Sequence, residues 1–256
     1  MRRIRVIPIL LLHNEGLVKS VKFKDYKYIG DPINAVKIFN DKEVDEIAII
    51  DITATAQKRK PDLARIRALA SECFMPMAYG GGISALDEIK SIFYAGVEKI
   101  ILNYAAYQNI DLVSEAASIF GSQSIVASVD VKKNFFGKYK VYTMNGSEAL
   151  TLSPEQYAKR LEDAGAGEIL LNSIENDGKQ NGYDTELIKR VADAVNIPIV
   201  AAGGAGSVHD FYNAVEVGAS AVAAGSMFVF HGSHRAVLIN YPDQAELASK
   251  LFNLLD

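Results

Sequence analysis

Two glycine runs are the first places in the sequence where residue type and spacing could do chemistry. Gly81-Gly82, inside Tyr79-Gly80-Gly81-Gly82-Ile83-Ser84, recurs 122 positions later as Gly203-Gly204, inside Ala202-Gly203-Gly204-Ala205-Gly206-Ser207. A turn without side chains lets backbone N–H groups close on an anion, and the start of a following helix favours negative charge. One such turn proves little, because a strand-to-helix turn can need glycine for backbone geometry alone. Two at matched positions predict a long ligand with a phosphate at each end. Asn103-Tyr104-Ala105 and Ala224-Gly225-Ser226 stand where they could complete the two cradles.

Between the cradles, the reacting groups would come from Asp51, Asn103, Asp130, Asn172 and Asp177, each at or just after the end of a strand-like run. Asp130 closes an otherwise apolar stretch and is the general acid/base candidate; a carboxylate tied to its own loop is the plainer alternative. Lys19 could close over a phosphate, though spacing alone favours a solvated side chain. Of His13, His209, His231 and His234, only the last two have ligand spacing, and no third ligand follows them. A polar pair at the surface explains them better than zinc. No metal and no cofactor are expected. The single cysteine, Cys73, has no base nearby and leaves no intrachain disulfide, in keeping with an inert thiol in a reducing cytoplasm.

These residues need a frame that brings them to one face. The strand-like runs are residues 4–12, 46–51, 75–79, 99–103, 125–130, 168–172, 197–201 and 219–224, mostly the unbroken apolar stretches of parallel strands covered on both faces. Helix starts lie between them: Asp31-Pro32, the capping box Ser153-Pro154-Glu155-Gln156, and Ser84 and Ser207 with Asp87 and Asp210 three residues on. Eight strands alternating with helices fit a closed barrel or an open doubly wound sheet. The repeat decides between them. Glu46 and Gly96 recur as Glu168 and Gly218 at the same offset of 122, and residues 7–11 match 126–130 at an offset of 119. Two halves of four βα units fit a (β/α)8 TIM barrel built from two duplicated half-barrels. Residues 1–256 form one domain on this reading, because half a barrel would leave open sheet edges. Its chemistry sits at the C-terminal ends of the strands.

The chain of 256 residues is 49% hydrophobic and 23% charged, with a net charge of −4. High apolar content with low net charge excludes disorder. The balance lacks the basic field of a nucleic-acid binder, so any anionic ligand must be held locally. No uncharged apolar stretch approaches the ~18 residues of a membrane span. A secretory leader is not expected either, and the reading is a cytoplasmic protein.

Ile7-Pro8, Gly30-Asp31-Pro32, Asp51-Ile52-Thr53-Ala54, Gly80-Gly81-Gly82, Phe120-Gly121-Ser122-Gln123, Gly167-Glu168-Ile169-Leu170-Leu171, Asp177-Gly178, Gly182-Tyr183-Asp184 and Gly203-Gly204-Ala205-Gly206 run in order through nearly the whole chain. In these motifs the sequence closely resembles the cyclase subunit (HisF family) of imidazole glycerol phosphate synthase in histidine biosynthesis. The resemblance implies a duplicated barrel that binds a bisphosphate and uses ammonia made by a glutaminase subunit (HisH-like) docked at the N-terminal face. Ammonia crosses the barrel and attacks the substrate, giving imidazole glycerol phosphate and an aminoimidazole carboxamide ribotide. The expected binding set is Lys19, Asp51, Gly81, Gly82, Asn103, Tyr104, Asn172, Asp177, Gly203, Gly204, Gly225 and Ser226, with Asp130 catalytic.

Arg5, Glu46, Lys99 and Glu168 stand at the N-terminal ends of strands one, two, four and six. Charges entering the bottom of a packed barrel must be paired, and alone they read as a salt-bridge plug. The family has an Arg-Glu-Lys-Glu gate at these positions, so the resemblance makes them the gate through which ammonia enters. One departure bears on the reaction. The family carries a catalytic aspartate late in strand one, paired with the one ending strand five; here Leu11 stands in its place. Leucine cannot shuttle a proton, and losing a positioned acid/base typically costs ~10²–10⁴ in rate. Tyr104 and Asn172 stand where the family has small hydroxyl residues, and Glu175-Asn176-Asp177 replaces an Asp-Arg-Asp run. The pattern is similar to cyclase-like paralogues carried beside surface-polysaccharide (O-antigen) genes, which implies ammonia delivery to a sugar amidotransferase. The true cyclase is the alternative. A phosphoribosyl isomerase barrel, which has no need of the gate, ranks last.

Overall fold

A computed structural model describes residues 3–232 and 234–255 of the chain. Eight strands form its centre: β1 (Arg5–His13), β2 (Ile47–Asp51), β3 (Met77–Gly80), β4 (Lys99–Leu102), β5 (Ile125–Lys133), β6 (Glu168–Ser173), β7 (Ile199–Ala202) and β8 (Ala221–Ala224). Each pairs in parallel with the next, and Arg5 to Pro8 of β1 pair with Ala221 to Ala224 of β8. The ring is closed, as the repeat predicts, and no ring strand is left with a bare edge. The helices that follow the strands are α1 (Pro32–Asp41), α2 (Leu63–Ala70), α3 (Leu86–Tyr94), α4 (Asp111–Phe120), α5 (Pro154–Asp163), α6 (Thr185–Ala192), α7 (Val208–Glu216) and α8 (Gln244–Lys250). Among the described residues no helix is long and apolar enough to cross a membrane.

Side chains alternate in and out along each strand, and that period separates two apolar layers. Outward residues such as Val6, Ile49, Ile100, Val129 and Ile169 pack with helix faces, among them Ala35, Val36 and Phe39 of α1. Full burial of a Val, Ile or Phe side chain is worth ~1.5–3 kcal/mol, so this outer layer fixes the helices on the sheet. Inward residues form a separate cluster of ten inside the barrel, and five of them are alanines: Ala48, Ala78, Ala202, Ala221 and Ala223. Bulky branched residues usually dominate this position. The lumen here is apolar, with Ile7, Ile101, Val126, Leu170 and Val200 set among the alanines.

Several boundaries differ from the sequence reading. β3 and β7 start two residues later than expected because Pro76 and Pro198 lack the N–H a ladder needs. Their carbonyls still accept, from Ile47 N and Ile169 N at 2.9 Å. β8 also starts late, since Gly218 N and Ala219 N close the end of α7 on Val215 O and Ala214 O. The helix expected to start at Ser84 begins at Leu86, and Glu88 rather than Asp87 holds the amides of Ser84 and Ala85, at 2.8 and 3.2 Å. Asp210 caps Ser207 as expected, and Ser153 and Gln156 form the expected box. Two segments read as connections fold as antiparallel extensions of the ring. Gly16–Val21 pairs with β1 and with Lys24–Gly30, and Tyr139–Thr143 pairs with β5 and with Glu148–Ala149.

Candidate functional site

At the N-terminal end of the barrel the four expected charges form a closed ring. Arg5 Nη1 meets Glu46 Oε2 at 2.6 Å, and Arg5 Nη2 meets Glu168 Oε1. Lys99 Nζ lies 2.8 Å from Glu46 Oε2 and 3.0 Å from Glu168 Oε2. Both carboxylates are buried, and each is held by two cations, which is the pairing that buried charge requires. The guanidinium pKa is raised: burial opposes the charged form, but the hydrogen bond and charge of Glu168, with those of Glu46, outweigh it.

The two-residue period carries this face up each strand to the mouth. Arg5 leads through Ile7 and Ile9 to Leu11, Lys99 through Ile101 to Asn103, and Glu168 through Leu170 to Asn172. Val126 and Ser128 lead likewise to Asp130. These strand ends line one cavity with both glycine turns, Lys19, Tyr104, Asp177, Gly225 and Ser226. Each oxygen of Asp130 accepts one amide proton, Oδ2 from Asn103 Nδ2 at 3.0 Å and Oδ1 from Asn172 Nδ2 at 3.2 Å. Burial pushes the carboxyl up to about 7, and Asp177 adds to the rise against the opposing pull of the two amides. A group titrating there can take or give a proton near neutral pH. Leu11 offers the same cavity only an aliphatic side chain.

The glycine turns follow β3 and β7 as expected. Gly81 and Gly204 have φ of +109° and +122°, and a Cβ on either would collide with the backbone carbonyl of Asp51 or Gly182. Backbone geometry alone therefore demands glycine at both places. Gly82 N donates to Thr55 Oγ1 at 3.2 Å. The amides just beyond the turns are already held by Glu88 and Asp210. By contrast, the short helix Tyr104–Gln108 and the turn Ser226–Phe228, beside the two glycine turns, start without a side-chain cap on their first amides.

Lys19 departs from the solvated side chain favoured by spacing. It lies on the Gly16–Val21 strand, 4% exposed, and its Nζ donates to Ile9 O and fills the space where Gly225 lacks a Cβ. Burial lowers its pKa to about 8, partly offset by Asp177. Asp177 is itself raised by burial, against the charge of Lys19 and a 3.0 Å bond from Ser20 Oγ. Asp51 borders the cavity, but its carboxylate is spent on its own loop: Thr53 N, Thr53 Oγ1 and Ala54 N donate to it at 2.8–3.0 Å, and Arg59 Nη2 lies 3.0 Å away. Sequence reasoning passes over Arg59, Thr55 and Ser20, which no motif marks. His231 sits in the short strand Phe230–His231, exposed, with His234 exposed nearby in sequence. Among the described residues no three His, Cys, Asp or Glu side chains gather to hold a metal. Cys73 Sγ packs on Met75 Sδ, and burial pushes its thiol up to about 11.

Fold and mouth together define the class: a (β/α)8 barrel with one shielded carboxylate set between two glycine turns. The comparisons then give the family. The model of the histidine biosynthesis protein family matches residues 5–235. A Pseudomonas aeruginosa chain provisionally named imidazole glycerol phosphate synthase subunit hisF2 is 52% identical over 248 residues, covering 96% of this chain and 99% of that one. Imidazole glycerol phosphate synthase subunit HisF of Alkaliphilus metalliredigens is 40% identical, covering 89% and 90%. The same subunit of Thermococcus onnurineus is 42% identical, covering 88% of each chain. The chain belongs to the HisF family of imidazole glycerol phosphate synthase subunits.

Proposed function

We propose that the chain is the HisF-type subunit of a glutamine amidotransferase complex, a paralogue that takes ammonia from a HisH-like glutaminase at its N-terminal face and releases it at the mouth. The acceptor on this reading is a sugar amidotransferase of cytoplasmic surface-polysaccharide biosynthesis. The ion-paired ring and the alanine-rich lumen support the conduit. Neutral ammonia crosses an apolar lumen cheaply, whereas ammonium must shed its hydration. The ring of Arg5, Glu46, Lys99 and Glu168 then acts as the gate. Passage requires at least one of its pairs to part.

Leu11 carries the choice of a paralogue. It ends the inward face of β1, borders the same cavity as Asp130, and leaves that carboxylate without a partner from β1. A second reading rests on Asp130 itself, whose pKa of about 7 suits acid/base work. On that reading the chain is a cyclase that converts the phosphoribulosyl-formimino bisphosphate and ammonia to imidazole glycerol phosphate and aminoimidazole carboxamide ribotide. Its phosphates would lie at Gly81, Gly82, Asn103 and Tyr104 at one end, and at Asp177, Gly203, Gly204, Gly225 and Ser226 at the other. The test supplies the purified chain, and its Leu11→Asp variant, with the bisphosphate and an ammonium salt. Native turnover about 10²-fold or more below the variant is expected, the usual loss for a missing acid/base. Turnover by the native chain near that of an ordinary cyclase would establish the cyclase and sink the conduit.

A further inference from the structure

The hairpin that carries β5 past the mouth has a tip that ammonia transfer does not use. Phe135 is 97% exposed and Phe136 82%, and their rings meet edge to face with centroids 5.6 Å apart. Single apolar side chains on a surface are ordinary, but two adjacent bare phenyl rings on a projecting turn form a patch. The turn is ordered. Asn134 N donates to Lys138 O at 2.8 Å and Gly137 N to Asn134 O at 2.9 Å, while Asn134 Oδ1 accepts from Phe136 N and Lys138 N at 3.0 Å. A turn whose backbone is already held loses little backbone freedom when covered.

Charge surrounds the rings. Lys132, Lys133, Lys138 and Lys140 flank them along residues 132–140, a stretch with no acid of its own; Glu186 pairs with Lys133, and Lys138 is the exposed cation of the four. Lys132 and Lys133 lie over the rings of Tyr142 and Tyr139, 4.0 and 4.6 Å from their centroids, so both stay beside the hairpin. Beyond the returning strand come Met144 and Asn145, which line the mouth.

We propose that this hairpin is a docking site for a partner protein that presents an apolar pocket rimmed by Asp and Glu side chains. Aromatic anchors within a charged rim have the make-up of an interface centre, and the lysines set the sign of the complement. Two other occupants fit less well. Single-stranded nucleic acid stacks on open ring faces, whereas these rings stand at 85° to each other. An anionic bilayer calls for cations free to reach one plane, whereas Lys133 lies 3.5 Å from Glu186 and Lys140 donates to Thr151 O at 3.2 Å. The proposal stands without the conduit reading.

The test pans a displayed random-peptide library on the full-length chain and measures the affinities of the recovered peptides. They should pair large apolar residues with Asp or Glu. Binding should weaken about tenfold or more in F135S/F136S and about threefold or more in K138E, and should fall as salt rises. Both variants lie at the surface and should melt within about 3 °C of the native chain. Should F135S/F136S misfold, K138E and the salt series decide. Peptides without acidic bias, or indifferent to both variants, would overturn the proposal. So would phenylalanine-dependent binding of phosphatidylglycerol vesicles or of oligo-dT when no such peptides are recovered.

Discussion

Asp130, set between the amides of Asn103 and Asn172, gives the folded chain a pH dependence that can be measured. Its carboxyl holds a proton to about 7 in the folded state, against an ordinary 3.8. Between those values the folded chain binds more protons than the unfolded one, so stability falls as pH rises and levels off above about 7. About three pKa units correspond to at most ~4 kcal/mol. In Asp130→Asn the fall between pH 4 and 8 should be shallower by about 2–4 kcal/mol in urea titrations; parallel curves would refute the assignment. Glu168 makes a second case. Glu168→Gln leaves Arg5 and Lys99 with one carboxylate between them, and breaking a buried pair costs about 3–5 kcal/mol. Arg5 keeps a third of its side chain in solvent, which brings the expected loss to about 2–3 kcal/mol. An unchanged urea midpoint would show that the ring contributes nothing to stability. The ring was legible in the sequence, because its four charges begin apolar strands. The spent carboxylate of Asp51 was not: its motif puts it among the binding residues, and only the folded loop shows it taken by Thr53 and Ala54. The amides around Asp130 come from the two flanking strands, and only the pairing of β4 and β6 with β5 brings them together.

Among the elements, the hairpin of Gly16–Val21 and Lys24–Gly30 was not legible, and the reason is physical. Six of the seven residues of Lys24–Gly30 are not buried, so no apolar alternation marks the strand. Its turn places Lys22 and Phe23 at positive φ, 54° and 62°, without the Asn or Gly that usually signals such a turn. The hairpin is held from across the mouth instead. Ser20 Oγ reaches Asp177 Oδ2 at 3.0 Å, Lys22 N reaches Asp177 O at 3.1 Å, and a Cβ on Gly178 would strike Ser20 O. Gly178→Ala should therefore push the hairpin off, since its φ of +73° adds strain to the collision. Trypsin should then cut at Lys22 or Lys24 faster than in the native chain, with a stability loss of about 1–3 kcal/mol. Cleavage at the native rate would mean that the hairpin is held by something else. The β5 hairpin escaped for a similar reason, since lysines break the run between Asp130 and Tyr139.

For the whole molecule, closure was legible from the repeat, because an open sheet has no reason to duplicate itself. A protein of net charge −4 must hold an anion by local means, and Lys19 against Gly225 is the one buried cation on the cavity wall among the described residues. Its charge fades as pH passes about 8, while sulfate stays dianionic. Sulfate should bind about fivefold more weakly at pH 9.5 than at pH 6.5, the difference between a charged and a neutral donor. Lys19→Met should bind it weakly at both, and a native affinity flat across that range would remove Lys19 from the site. The shared inward face of β1, β4 and β6 has a further consequence. One residue inserted between the ends of any of these strands would put the two ends on opposite faces, so both cannot stay inward after a shift of frame. A replacement at a strand tip leaves the far end as it was. Such a barrel can change a residue at its mouth, as at Leu11, without disturbing the charged ring at the other end of the strand, where Arg5 lies six residues below.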